Sequence, residues 1–227
     1  CQSGALAYRN SKGKDRIKHW MKHCMKLGIL NATTPADEAI FQMPEIVNFR
    51  AFFDQVPNKL HLVEYRVTEG EFPPDLHECD AYLVTGSPQG VYDPDPWIPA
   101  LAAFLRQSYA AGQKLVGICF GHQMLAHTLG GRAEKSDRGW GMGLRRFTVV
   151  ATPSWMAPPL MQGQLYFCHQ DQVTHLPATA ERLAGDTFCP NAIFAIGNQV
   201  LGIQGHPEFS PAFMTTLIDT LGAKAGD

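Results

Sequence analysis

Short apolar runs alternate with helix-like patterns along most of the chain. Several of these runs are almost continuously apolar, which is typical of strands that are covered on both faces. We predict strands at 27–30, 61–67, 81–84, 114–118, 146–151, 164–168, 192–196 and 200–204. Apolar residues recur at helical spacing over 97–105 and 213–221, which predicts helices between strands. This alternation predicts one α/β domain with a largely parallel sheet.

The composition supports a folded domain and excludes several classes of protein. The chain has 227 residues, of which 45% are hydrophobic and 18% are charged, so a disordered polyampholyte is excluded. A net charge of −2 gives no reason to expect a nucleic-acid partner. No run of apolar residues is long enough for a membrane span, and we expect no secretory signal. The six cysteines are scattered without a C-x-x-C pair, which favours a reduced, cytoplasmic compartment over a disulfide scaffold.

The beginning of the chain differs from the rest in charge. Residues 1–26 hold seven Lys or Arg and one acidic residue, whereas the whole chain is slightly acidic. The first apolar strand pattern follows Met25, so we expect residues 1–24 to be a basic extension outside the core and 25–227 to form the domain. Two interpretations of the extension are open: a solvated tail, or an arm that binds the phosphates of nucleic acid or membranes.

A candidate nucleophile follows the strand predicted at 114–118. Gly117, Cys119 and Gly121 form a G-x-C-x-G pattern, the form of a nucleophile elbow, in which a tight strand-to-helix turn lifts the nucleophile out of the sheet. The positive end of the following helix would favour the thiolate of Cys119. On this motif alone, a buried structural cysteine in an ordinary strand–turn–helix is an equal alternative.

A second strand ends beside residues that can assist a thiol. The segment 202–209 reads G-I-Q-G-H-P-E-F. The imidazole of His206 can take a proton from a thiol and return it to a leaving group, and the carboxylate of Glu208 can orient that imidazole. Because sites form at the carboxyl ends of strands in open α/β sheets, we expect both residues to lie near Cys119.

Together, the segments 117–131 and 202–209 resemble the class I glutamine amidotransferase domain, in particular the amidotransferase domain of GMP synthetase. The family has a Cys-His-Glu triad whose last two members stand in an H-P-E arrangement. The resemblance implies a flavodoxin-like fold, with a mostly parallel central sheet flanked by helices. It makes Cys119 the nucleophile, His206 the general base and acid, and Glu208 the residue that orients the imidazole.

The resemblance also implies an oxyanion hole. In the family, a loop before the nucleophile strand supplies one backbone donor, and here that loop is 85–93. The implied donors are the backbone N–H groups of Gly86 and Phe120. Two such donors stabilise the negative charge that develops on the attacked carbonyl oxygen.

Three side chains are implied to bind substrate. The stretch 166–173 is similar to the family segment that holds the amino acid part of the substrate, and it contains His169 and Asp171. Asp171 is a suitable counter-charge for an α-ammonium group, and Gln123 on the nucleophile helix is a candidate for a hydrogen bond to bound glutamine. For these three residues, surface or core polar roles are equally open.

The activity implied by the resemblance is hydrolysis of the side-chain amide of glutamine through a Cys119 thioester, with ammonia passed to an acceptor or to a synthetase subunit in trans. One alternative is a peptidase or hydrolase that acts on another γ-glutamyl small molecule. A second is a non-catalytic binding or regulatory protein, which we would expect to lack a triad residue. A relative that pairs the elbow cysteine with a Glu from an earlier strand is a third. We expect no cofactor and no metal, since His122 and His127 lie five residues apart without a supporting cluster.

Overall fold

The computed structural model of the protein describes residues 25–41, 43–57 and 60–225, and side chains as far as 221. The extension predicted at 1–24 lies outside these described residues. Within the described ranges, no helix is long and apolar enough to cross a membrane.

Eleven strands in the described part of the chain form two sheets. The main sheet has nine strands in the order β2-β1-β3-β4-β11-β10-β9-β6-β7, and β5 pairs with β8 in a separate two-stranded sheet. The strands are β1 (Met25–Asn31), β2 (Leu60–Arg66), β3 (Ala81–Val84), β4 (Lys114–Ile118), β5 (Arg132–Lys135), β6 (Gly141–Val149), β7 (Gln162–His169), β8 (Asp171–His175), β9 (Glu181–Gly185), β10 (Ile193–Ile196) and β11 (Val200–Ile203).

Five α-helices of the described chain flank the main sheet, so the predicted α/β, flavodoxin-like fold is confirmed. The strands β2, β1, β3, β4 and β11 run parallel, and the remaining four extend the sheet in antiparallel fashion. The helices are α1 (Pro35–Phe41), α2 (Glu45–Phe53), α3 (Trp97–Ala110), α4 (Phe120–Thr128) and α5 (Pro211–Ala225).

Apolar side chains bury both faces of the parallel strands. On one face, α3 and α4 pack against β3 and β4 through a cluster that includes Leu101, Leu105, Phe120 and Tyr82. On the other face, α2 contributes Ile46 and Phe49 to a second cluster. A third cluster joins α5 to the end of α1 and to β6 and β7. The carboxyl ends of β3, β4 and β11 therefore emerge together from a well-packed layer.

All eight predicted strands are present; those at 81–84 and 114–118 have the predicted ends, and the ends of the other six are shifted. The strand predicted at 146–151 begins instead at Gly141, because β6 pairs with β7 from Gly141 to Thr148. The predicted end of the second strand, Val67, starts a short 3₁₀ helix. The stretch 166–173 is divided between β7 and β8. Strands β5, β8 and β9 and helices α1 and α2 were not predicted, since their short segments mix polar and apolar residues without a clear period.

Candidate active site

The candidate nucleophile lies at the turn between β4 and α4. Cys119 has φ 51° and ψ −103°, and it is the only described residue other than glycine with a positive φ. Such a conformation costs about 1–3 kcal/mol. The backbone N–H of Cys119 donates to the carbonyl of Ile203 in the neighbouring strand (2.9 Å), which fixes the turn against β11. The side chain is only 6% exposed.

The two glycines of the elbow are required by close packing of the helix on the sheet. A β-carbon on Gly117 would lie 2.3 Å from the carbonyl oxygen of Gly121, and one on Gly121 would lie 2.3 Å from the carbonyl oxygen of Val84. Both contacts are with backbone atoms, which cannot move aside independently. The G-x-C-x-G pattern therefore reflects the approach of α4 to β3 and β4.

The structure brings Cys119, His206 and Glu208 together. Nδ1 of His206 lies 2.7 Å from Oε1 of Glu208, and His206 and Cys119 line the same cavity. The thiol of Cys119 is directed at the carbonyl of Cys168 (3.9 Å). The backbone N–H of His206 donates to the carbonyl of Tyr166 (2.7 Å), which anchors the segment after β11 to β7.

The environment of His206 favours its charged form. Burial lowers the pKa of the imidazole, but the negative charges of Glu208 and Cys119 and the hydrogen bond to Glu208 outweigh that effect, so the pKa is raised well above 6.5. The ring of Phe209 stacks on the imidazole at a centroid distance of 3.9 Å. The surroundings therefore favour the imidazolium form of His206.

The loop after β3 passes close to both reactive groups. A β-carbon on Gly86 would lie 3.1 Å from Cε1 of His206 and 3.8 Å from Cβ of Cys119. The carbonyl of Thr85 accepts a hydrogen bond from the N–H of Gly121 (3.1 Å), which fixes the peptide that carries the Gly86 N–H. The N–H of Phe120 belongs to the first turn of α4, while the Phe120 side chain is buried against Trp97.

A chain of amide side chains supports the thiol. Gln123 donates from Nε2 to the carbonyl of Asp171 (2.9 Å) and to Oε1 of Gln204 (3.1 Å). Gln204 in turn directs its Nε2 at the sulfur of Cys119 (3.5 Å). Nε2 of Gln123 therefore has two partners within the protein, while the residue also lines the cavity. Sequence reasoning missed Gln204, although it directly precedes the Gly205-His206 pair.

Asp171 presents a carboxylate to the same cavity. Its Oδ2 accepts a hydrogen bond from the hydroxyl of Tyr92 (2.7 Å), a residue of the loop after β3. Both residues line a cavity of about 540 Å³ that also includes Cys119 and His206. Sequence reasoning did not identify Tyr92, because its contact with Asp171 joins residues 79 positions apart.

His169 belongs to the wall of this cavity. Its Nδ1 lies 2.9 Å from the carbonyl of Asp171, and its ring lies between Phe167 and Phe188. Burial is the main reason that its pKa is lowered to about 4. The side chain is therefore neutral near pH 7 and shapes the cavity next to Asp171.

Glu45 carries a carboxyl group near Glu208 that the sequence analysis did not identify. Glu45, in the first turn of α2, is buried and lines the cavity. Burial and the negative charge of Glu208 raise its pKa to about 8. The Oε2 atom of Glu208 is itself buried and has no hydrogen-bond partner among the described residues. In the same described part of the chain, no group of three or more His, Cys, Asp or Glu residues is arranged to hold a metal ion.

Comparisons with known proteins agree with this architecture. The sequence profile of the family "Glutamine amidotransferase class-I" matches residues 53–219. Gamma-glutamyl peptidase 5 of Arabidopsis thaliana is 36% identical over 162 residues, which cover 68% of this chain and 64% of that protein. A GMP synthase [glutamine-hydrolyzing] of Porphyromonas gingivalis is 33% identical over 141 residues, which cover 61% of this chain and 26% of that protein.

The match extends over less than two thirds of the length of these curated relatives. Among solved structures, a glutamine amidotransferase from Thermotoga maritima superposes with a TM-score of 0.73 at 18% identity, covering 89% of this chain and 84% of that one. That similarity supports the fold. The family profile covers well over half of the sequence, and the chain therefore belongs to the class-I glutamine amidotransferase family.

Proposed function

We propose that the protein is a γ-glutamyl hydrolase, which cleaves the γ-amide bond of γ-glutamyl small molecules through a thioester on Cys119. The observation that carries this proposal is that Cys119 and His206 line one cavity of about 540 Å³, with His206 hydrogen-bonded to Glu208 (2.7 Å). Cavities of roughly 300–1,000 Å³ accommodate drug-sized ligands, so this one has room for more than glutamine. The similarity to gamma-glutamyl peptidases supports the same choice.

The first half of the proposed reaction forms the thioester. The Cys119 thiolate attacks the γ-carbonyl carbon, and the electron pair of the carbonyl bond moves onto oxygen. When the carbonyl re-forms, the carbon–nitrogen bond breaks and the nitrogen takes the proton from Nε2 of His206. Glu208 holds the imidazole through Nδ1 (2.7 Å), so the proton is directed at the leaving amine.

The second half hydrolyses the thioester. His206, now neutral, takes a proton from water, and the resulting hydroxide adds to the thioester carbon. The carbon–sulfur bond then breaks, which releases glutamate and restores the thiolate–imidazolium pair. The N–H groups of Gly86 and Phe120 are the proposed donors to the oxyanion in both halves, each worth a few kcal/mol at such a position.

Selection for the γ-glutamyl group rests on Asp171 in this proposal. Tyr92 holds the carboxylate through its hydroxyl (2.7 Å), so one negative charge is fixed in the wall of the cavity. A substrate α-ammonium group pairs with that charge, and a substrate without the ammonium group loses this ion pair. His169 and Gln123 support this wall and hold Asp171 through its backbone carbonyl.

Glutamine hydrolysis with transfer of ammonia to a synthetase partner is the second candidate. The similarity to GMP synthases favours it, because those relatives carry "glutamine-hydrolyzing" in their names. Both candidates use the same three residues and differ in the size of the leaving group and in the need for a partner.

Steady-state kinetics separate the candidates. We expect γ-glutamyl-methylamide to be cleaved with a kcat/KM at least equal to that for glutamine, and N-acetylglutamine to be a much poorer substrate. Cys119→Ala should abolish turnover of both good substrates, and Asp171→Asn should raise KM more than it lowers kcat. Cleavage of glutamine alone would favour the second candidate. Turnover by Cys119→Ala would refute the thioester.

A further inference from the structure

The lining of the catalytic cavity includes two contrasting groups of side chains. The polar group surrounds Asp171 and consists of Tyr92, Lys135, Gln170 and Asp171. The second group, here called the apolar arm, lies between α1, the segment after β11, and α5. The apolar arm consists of Ile40, Phe41, Phe209, Phe213, Leu217 and Leu221.

The apolar arm begins at the proposed proton donor. The ring of Phe209 stacks on His206 at 3.9 Å, Phe213 meets Phe209 edge-on at 4.7 Å, and Phe41 meets Phe213 edge-on at 6.4 Å. A leaving nitrogen has to lie within hydrogen-bond reach of His206 to receive its proton. The substituent on that nitrogen therefore lies next to this aromatic wall.

The groups beside the apolar arm favour a leaving amine without a carboxylate. Apart from His206, the ionisable side chains of the described residues that line the cavity on this side are the carboxyl groups of Asp37 and Glu45. The pKa of Glu45 is raised to about 8, so this group is neutral near pH 7 and leaves Asp37 as the carboxylate on this side. His206 gives its proton to the leaving nitrogen, and Lys135 belongs to the polar group. A carboxylate on the leaving amine would therefore lie among apolar rings without a counter-charge, whereas apolar surface would be buried against the rings.

We propose that the apolar arm binds the leaving amine and that the preferred substrates are γ-glutamyl amides of an apolar primary amine without a carboxylate, such as an arylalkylamine. This inference rests on the γ-glutamyl hydrolase function proposed above. Water supplies the oxygen that ends in glutamate, and the amine leaves with the proton from His206. The polar group holds the γ-glutamyl part of the same substrate.

Three synthetic substrates test the inference on the wild-type protein. We expect the kcat/KM for γ-glutamyl-benzylamide to exceed those for γ-glutamyl-methylamide and γ-glutamyl-glycine by about tenfold or more, as for a group that fills an apolar pocket. If the benzylamide is cleaved no faster than the other two, the inference is overturned and the proposed hydrolase function stands. If none of the three is cleaved, both are overturned.

Two matched surface variants test whether the apolar arm causes the preference for the benzylamide. Ile40 and Val47 are both exposed apolar side chains on neighbouring helices (52% and 43% exposed), and of the two only Ile40 lines the cavity. Ile40→Lys should raise kcat/KM for γ-glutamyl-glycine relative to the benzylamide by about threefold to tenfold, since it brings a cation to the arm. Val47→Lys should leave this ratio at the wild-type value. An unchanged ratio in Ile40→Lys, or an equal change in both variants, would overturn the assignment of the arm.

Discussion

Replacing Glu45 with Gln should stabilise the protein at alkaline pH and leave its stability near pH 4 unchanged. Glu45 is 8% exposed, and burial together with the charge of Glu208 raises its pKa from 4.5 to about 8. In the unfolded chain the same carboxyl titrates near its ordinary pKa. Between these two pKa values the folded protein binds more protons than the unfolded chain, so the free energy of unfolding falls as the pH rises.

The size of the effect follows from the width of this pH window. Each pH unit between the two pKa values lowers the free energy of unfolding by about 1.4 kcal/mol. The loss begins above the unfolded pKa, is complete above the folded pKa of about 8, and amounts to several kcal/mol, on the order of 5 at most. Gln has nearly the volume of Glu and carries no charge. The variant therefore keeps the packing, and the neutral side chain at position 45 causes no decrease in the free energy of unfolding as the pH rises.

Urea unfolding of both proteins between pH 4 and pH 9 measures this difference, because titrating groups that do not interact with Glu45 contribute equally in the two proteins. Glu181→Gln, which changes an exposed carboxyl on β9, is the matched control and should follow the wild type. In a Glu208→Gln background the benefit of Glu45→Gln should shrink, since the charge that opposes ionisation of Glu45 is gone. If the two proteins differ in free energy of unfolding by the same amount at pH 4 and at pH 9, the raised pKa of Glu45 in the folded protein is refuted.

Three further predictions concern the site and the beginning of the chain. His206→Asn should lower kcat/KM for γ-glutamyl substrates about as far as Cys119→Ala does, by at least the roughly 10²–10⁴-fold of general acid–base catalysis, and Glu208→Gln should lower it less; a harmless His206 change would contradict the mechanism. Gly86→Ala should reduce kcat about tenfold or more with little change in Tm, because its β-carbon would press on His206 at 3.1 Å; full activity would show that the loop adjusts freely. Deletion of residues 1–24 should leave Tm and kcat/KM nearly unchanged, and a much lower Tm would show that the segment packs on the domain.

The sequence was most informative where the chemistry depends on neighbouring strand ends. Cys119 and His206 were expected to meet because each follows a predicted strand, and β4 and β11 do pair in parallel, with Ile118 opposite Ile203. His206 and Glu208 are only two positions apart, so their proximity could be predicted from the sequence. The elbow glycines were also recognisable, although the packing that requires them was not.

Features created by long-range packing left no local pattern. Glu45 approaches Glu208 because α2 covers the sheet near its carboxyl edge, and Tyr92 reaches Asp171 across 79 positions of sequence. Strands β5 and β8 pair with each other in a separate two-stranded sheet. Their segments are short and partly polar, so no hydrophobic period marks them as strands.

The glycines that flank Cys119 make the elbow a scaffold whose shape is independent of its reactive group. Gly117 and Gly121 are confined by backbone atoms at 2.3 Å, so any chain that keeps α4 on this sheet needs both, whether or not a thiol stands between them. A descendant that had lost catalysis would therefore still carry the glycine signature. For the same reason, serine or another nucleophile could replace Cys119 at this turn without any change to the two glycines.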